Sequence, residues 1–116
     1  MSKEVYRIQA EFCKALAHPI RLEIIDLLKK GERTVSELMR GIGIGQATLS
    51  QHLAVLRERG VVMSRKEGMK TYYSLRKPEI VDACSMIRKI LRELIFERHR
   101  VVKSYYDLKS KLGSRL

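Results

Sequence analysis

Asparagine is absent from this chain and glutamine occurs only as Gln9, Gln46 and Gln51, a shortage of thermolabile amides that is a trait of heat-stable proteins. Cysteine is nearly as scarce. Cys13 and Cys84 lie far apart and form no CxxC pair, too few for a secreted disulfide framework, so a reducing cytoplasm is the expected compartment. No apolar run approaches the roughly 18 residues a membrane span needs, and no signal-peptide pattern opens the chain. No Ser-His-Asp or Cys-His spacing is present, no glycine loop for phosphates, and the carboxylates are scattered, which disfavours an enzyme. Acidic side chains are also in deficit: 13 face 24 lysines and arginines, for a formal charge of +11. Such an excess suits a protein that meets a polyanion.

What is present is organised around I42-G43-I44-G45-Q46-A47-T48-L49-S50-Q51-H52-L53-A54-V55-L56-R57-E58-R59-G60. A glycine-rich turn leads into a helix in which Leu49, Leu53 and Leu56 share one face and bury it. Ala47 and Gln51, flanked by Thr48 and Ser50, occupy the opposite face, and Gln46 stands on the first turn, where unpaired N–H groups attract phosphate. A helix entering the major groove of DNA needs such a face: small side chains for close approach, with amides and hydroxyls to meet base edges. Gln46 and Gln51 are the candidates for base contacts, since an amide pairs bidentately with adenine, and Thr48 and Ser50 for bases or phosphate. Arg57 is a further phosphate candidate. His52 lies toward the buried edge, which suits a hydrogen-bonded packing role, and Arg21 suits bracing of the scaffold.

The flanks fit this reading. Val5, Ile8, Phe12 and Leu16 form one stripe of a first helix over residues 3–17. His18-Pro19 interrupts it, and Pro19 suits the first turn of a second helix that ends at Gly31. Arg33-Thr34-Val35 is a short extended piece, and Ser36 is a plausible N-cap for the helix S-E-L-M-R-G-I. Val35, Leu38 and Ile42 should bury against the helix that follows. After Gly60, V61-V62-M63-S64-R65-K66 and T71-Y72-Y73-S74-L75 are strand-like runs joined by E67-G68-M69-K70, which predicts a hairpin. Its Arg65, Lys66 and Lys70 would grip the DNA backbone and supply sequence-independent, salt-sensitive affinity. Charged edges also serve simply to block aggregation.

From Pro78 to Gly113 nothing breaks a helix. Ile80, Cys84, Ile87, Leu91, Leu94, Arg98, Val101, Tyr105, Leu108 and Leu112 alternate steps of four and three, a heptad seam with Arg98 its one charged interruption. So long an apolar stripe must pack on a partner. A second copy of the chain fits best, with Phe12, Ile80, Cys84, Ile87, Leu91 and Leu94 as the dimer interface. The expected fold is mainly α with a small β-hairpin (α+β), a winged helix-turn-helix. The expected domains are 1–95 for DNA binding and dimerisation and 96–116 as a coiled-coil-like extension of the last helix.

The order of these elements resembles the ArsR/SmtB family of winged-helix repressors. The matching stretches are A15-L16-A17-H18-P19-I20-R21-L22-E23-I24-I25, V35-S36-E37-L38, Q46 through V62, and G68-M69-K70-T71-Y72-Y73-S74-L75. Together they cover about residues 10–95. The resemblance implies a cytoplasmic homodimer that binds an imperfect palindrome in double-stranded DNA near its own promoter and is released by an effector. The tail from about Glu97 exceeds the family's usual last helix. Both family metal patterns are incomplete. Met39, Arg40 and Gly41 follow Glu37-Leu38 where one pattern has cysteines. In the other, Asp82-Ala83-Cys84 is followed by Ile95 and Arg98 where further ligands belong, with Glu97 and His99 on other helix faces. No metal or cofactor is therefore expected, since zinc wants about four ligands. Cys13 and Cys84 fall on the two helices that pair in the resembling dimers, so they are candidates for a redox or metalloid sensor. The alternative is that both are small buried hydrophobes. Two other functions stay open from the residues alone: a non-specific architectural DNA binder, and a protein-interaction module built on the last helix.

Overall fold

The computed structural model describes residues 1–113. In chain order it runs α1 (Lys3–Leu16), α2 (Pro19–Leu28), β1 (Arg33–Thr34), α3 (Val35–Ile42), α4 (Gln46–Glu58), β2 (Val62–Glu67), β3 (Lys70–Leu75) and α5 (Glu79–Gly113). The chain divides into two compact units, Met1–Val81 and Asp82–Leu116. The sequence-based division at 95/96 follows a different criterion, the length that a compact domain can cover. No helix of the described residues is long and apolar enough to cross a membrane.

The first unit is built on leucine spacing. Leu49, Leu53 and Leu56 of α4 are buried together with Ile24, Ile25 and Leu28 of α2 and Leu38 of α3. Val35 and Ile42 pack half-buried against this cluster, as their spacing with Leu38 predicts. Phe12 and Leu16 join it from α1, whereas Val5 and Ile8, on the same stripe, stay exposed. The helix stripe is thus only half used within one chain. Phe12, expected at a dimer interface, spends part of its surface on the chain's own core, and so does Ile80.

Three details differ from the sequence reading. The N-cap of α3 is Thr34, not Ser36. Its hydroxyl accepts the Glu37 N–H at 3.1 Å while the Glu37 carboxylate accepts the Thr34 N–H at 3.3 Å, a reciprocal box. The extended piece before α3 is a true third strand: β1 pairs antiparallel with β3, giving the order β1-β3-β2. The hairpin is also tighter than expected, since β2 and β3 stay in register as far as Glu67 opposite Lys70. Only Gly68 and Met69 turn the chain. A positive φ of 62° at Gly68 and none at Met69 is the pattern of a II′ turn, which follows the twist of the strands.

The second unit is helical. Along it Ile87, Leu91, Leu94, Val101, Tyr105, Leu108 and Leu112 are all more than half exposed, so the seam predicted from the heptads is continuous and open. Cys84 is buried.

Candidate nucleic-acid interface

The presentation of α4 is fixed at both ends by glycine. Gly45 caps its start without a side chain, leaving the first-turn N–H groups unblocked by any capping hydrogen bond. At the far end Val61 N–H bonds back to the Leu56 carbonyl (2.9 Å) and Gly60 N–H to that of Arg57 (3.1 Å), with Gly60 at φ 77°. This is a Schellman closure, and its apolar partners Leu56 and Val61 are both buried. Leu49, Leu53 and Leu56 clamp the inner face, so the outer face carries Gln46, Thr48, Ser50 and Gln51 fully into solvent, with Ala47 between them and Arg57 a turn further on. All the base- and phosphate-contact candidates of this helix are therefore brought onto one open surface.

The wing stands beside it. A polar cleft of about 510 Å³ lies between the start of α3, Gln46 at the head of α4, and Lys70, Thr71 and Tyr72 of β3. Lys66 and Lys70 are exposed and no ion pair engages them among the described residues. Arg65 is different. Its guanidinium forks onto the Glu32 carboxylate, with Nε donating at 3.0 Å, bonds Glu67 at 2.7 Å, and lies 4.5 Å from the centre of the Tyr72 ring. Hydrogen bonds to Glu32 and then Glu67 hold it firmly protonated, and the Arg65 bond in turn lowers the Glu32 carboxyl below its ordinary 4.5. Arg65 thus ties the wing to the turn ahead of β1, an assignment that the sequence did not reveal because Glu32 is 33 residues away.

His52 and Arg21 take up the structural roles their positions suggest. His52 is half-buried and its Nδ1 faces Arg21 at 3.2 Å. Glu11 on α1 holds Arg59 at the other end of α4 at 3.3 Å. The cap of α2 was missed: His18 Nδ1 accepts the Ile20 N–H, and a side-chain acceptor directly before proline was the available signal. Thr34 was equally legible, from T34-V35-S36-E37.

The cysteines diverge. Cys13 is exposed on α1 and Cys84 buried on α5; burial pushes the Cys84 thiol up, against a smaller downward pull from Arg88. Among the described residues no three His, Cys, Asp or Glu side chains gather as a metal would require.

Residues 18–64 match the family model of bacterial regulatory proteins of the arsR family. The chain is 39% identical over 103 residues to an HTH-type transcriptional regulator of Mycobacterium tuberculosis, covering 88% of this chain and 90% of that one. The crystal structure of that protein superposes with a TM-score of 0.76 at 40% identity, over 84% of this chain and 98% of the other. The solution structure of a homodimeric winged helix-turn-helix DNA-binding domain from Mycobacterium bovis superposes with a TM-score of 0.71 at 30% identity, over 82% and 91%. The biofilm growth-associated repressor of Xylella fastidiosa is 48% identical over 66 residues, 57% of this chain and 58% of the repressor. The chain belongs to the arsR family of bacterial regulatory proteins and is a winged-helix, DNA-binding transcriptional regulator, not an enzyme.

Proposed function

We propose that this regulator works as a homodimeric repressor on an imperfect palindrome near its own promoter, and that an effector releases it. The observation that carries the reading is the outer face of α4, where Gln46, Thr48, Ser50 and Gln51 stand together in solvent over a leucine anchor. A two-fold dimer sets two such helices about 34 Å apart, one turn of B-DNA, so each meets a major groove on the same side of the duplex. The amides of Gln46 and Gln51 then read adenine edges, and Thr48 and Ser50 reach bases or adjacent phosphates. Lys66 and Lys70 on the wing and Arg57 on α4 neutralise backbone charge. Arg65, engaged by Glu32 and Glu67, contributes mainly by holding the wing that carries those lysines.

The dimer would form along the seam that one chain leaves open, Ile87, Leu91 and Leu94, continued by Val101, Tyr105 and Leu108 in the 96–116 extension. Phe12, Ile80 and Cys84 would border it. The homodimeric relative from M. bovis and the repressor from X. fastidiosa support the assembly and the sign of regulation. No metal site is proposed, because both ligand patterns are incomplete. Cys13 and Cys84 stay as candidate sensor thiols.

Fluorescence anisotropy on the chain's own upstream DNA and on scrambled DNA, with reductant and at matched salt, tests the reading. A preference of about a thousandfold for the upstream DNA is expected. Equal affinity for both would favour an architectural role instead. Repeating the titration after mild oxidation and after a trivalent arsenical, in wild type and in Cys13→Ser and Cys84→Ser, decides whether the thiols are the sensor.

A further inference from the structure

Arg21 lies where α1, α2 and α4 meet. Its Nε donates to the Ala15 carbonyl at 2.6 Å, and one terminal nitrogen to the Lys14 carbonyl at 3.2 Å. Both carbonyls belong to the last turn of α1, where helical partners run out. The other terminal nitrogen meets His52 Nδ1 on α4 at 3.2 Å. A guanidinium can only donate, so Nδ1 of His52 accepts and the ring proton sits on Nε2. The His18 ring lies 4.3 Å from that of His52, centroid to centroid. Its own Nδ1 accepts the Ile20 N–H at 3.1 Å, so it too offers a lone pair to a fixed donor.

We infer that Arg21 and His52, with His18 packed against them, are positioning residues for the recognition helix, and that they hold it only while Nδ1 of His52 carries no proton. A proton there sets N–H against N–H and cation against cation, and α4 loses its tie to the α1–α2 corner. The inference rests on the DNA-binding reading above, because its functional consequence is loss of operator affinity in acid.

The charged surroundings agree with the geometry. Arg21 and His18, both from α2, are the groups that act electrostatically on His52. From α1 comes Glu11, already engaged by Arg59 and Lys14. Residues Leu38 of α3 and Val62 of β2, the other elements against α4, are apolar in the shared core. Burial first, then His18 and Arg21, lowers the imidazole below its ordinary 6.5. The folded state therefore favours the neutral ring. Its stabilisation is complete above 6.5 and is lost as pH falls from there through the lowered value.

The test is anisotropy of the full chain on its upstream DNA from about pH 8 to pH 5 at constant ionic strength, spanning histidine titration. Wild type should weaken by about tenfold or more in acid, the loss of one charge-assisted hydrogen bond. Added positive charge alone would tighten phosphate binding instead, so the sign is diagnostic. His52→Asn places a non-titrating carboxamide oxygen near the position of Nδ1, and its affinity should stay flat across the range. A wild-type profile that is flat, or a His52→Asn profile as steep as wild type, overturns the inference. If no specific DNA binding is found at neutral pH, the DNA reading fails separately. The positioning contact is then decided on wild-type protein by nitrogen NMR of the His52 ring: an Nε2–H tautomer supports it, and a proton on Nδ1 at neutral pH overturns it.

Discussion

Recognition helix α4 has two faces that should fail in different assays, and Leu53 and Gln51 separate them. Leu53 is 1% exposed, packed among Ile24, Ile25, Leu28 and Leu38. Leu53→Ala removes three carbons, about 2.4 kcal/mol of transfer free energy at roughly 0.8 per carbon. Incomplete collapse of the cavity raises the total to about 3–4 kcal/mol. Against the roughly 5–15 kcal/mol that holds a domain together, this is a large fraction. Gln51→Ala, on the exposed face, should move stability by no more than about 0.5 kcal/mol. Its cost falls on DNA: one bidentate amide–adenine pair carries about 1–3 kcal/mol of discrimination, and a dimer loses it in both half-sites. Urea unfolding with an unchanged slope reads the first effect, and the ratio of affinities for upstream and scrambled DNA reads the second. The reasoning is refuted if Leu53→Ala costs under about 1 kcal/mol, or if Gln51→Ala leaves that ratio intact while lowering the urea midpoint.

Thr34→Ala removes the hydroxyl half of the α3 capping box and should cost about 1 kcal/mol in thermal or urea unfolding. The Thr34 N–H and hydroxyl hold the Glu37 carboxyl below its ordinary 4.5. That contribution is present above 4.5 and lost as pH falls through the lowered value, so wild type and variant should converge in acid. Lys66→Ala and Lys70→Ala should each weaken binding to upstream and scrambled DNA alike and lower the slope of log affinity against log salt by about 1, measured by salt titration. Leu91→Lys with Leu94→Lys puts charge into the open seam of α5. Analytical ultracentrifugation should find monomers where wild type sediments as a dimer; a dimer that persists would place the interface elsewhere.

Much of the fold was legible because local rules and burial agree. The i, i+4, i+7 leucines of α4, the proline at the head of α2 and the glycine at the hairpin turn each specify one conformation by short-range sterics or periodicity. The errors fall where two local signals compete. Ser36 and Thr34 are both respectable caps, and the choice is made by Glu37, three residues after Thr34, together with the pairing of β1 to Tyr72 and Tyr73. The outer face of α4 was legible for the same reason as its core, since a helix with one apolar stripe must expose the rest. Arg65 was not. A basic residue on a wing reads as a phosphate ligand until the fold brings a distant carboxylate within reach, and no spacing rule reports a contact across β1 and the hairpin.

The fate of Arg65 also changes how the +11 charge should be read. Part of that excess is structural: Arg65 is held by Glu32 and Glu67, Arg59 by Glu11, and Arg21 by backbone carbonyls of α1 and His52. These arginines make forked, directional contacts that a lysine could not replace. On the wing, the cations without an ion pair among the described residues are instead lysines, Lys66 and Lys70, compact charges that suit a sequence-independent grip on phosphate. The division has a consequence for specificity. Affinity from lysines is shed as salt rises, whereas the arginine contacts fix where the wing and α4 stand relative to each other within the first unit. High salt should therefore weaken binding without scrambling the alignment of Gln46 and Gln51 on their base edges, and preference for the operator should survive conditions that greatly reduce affinity.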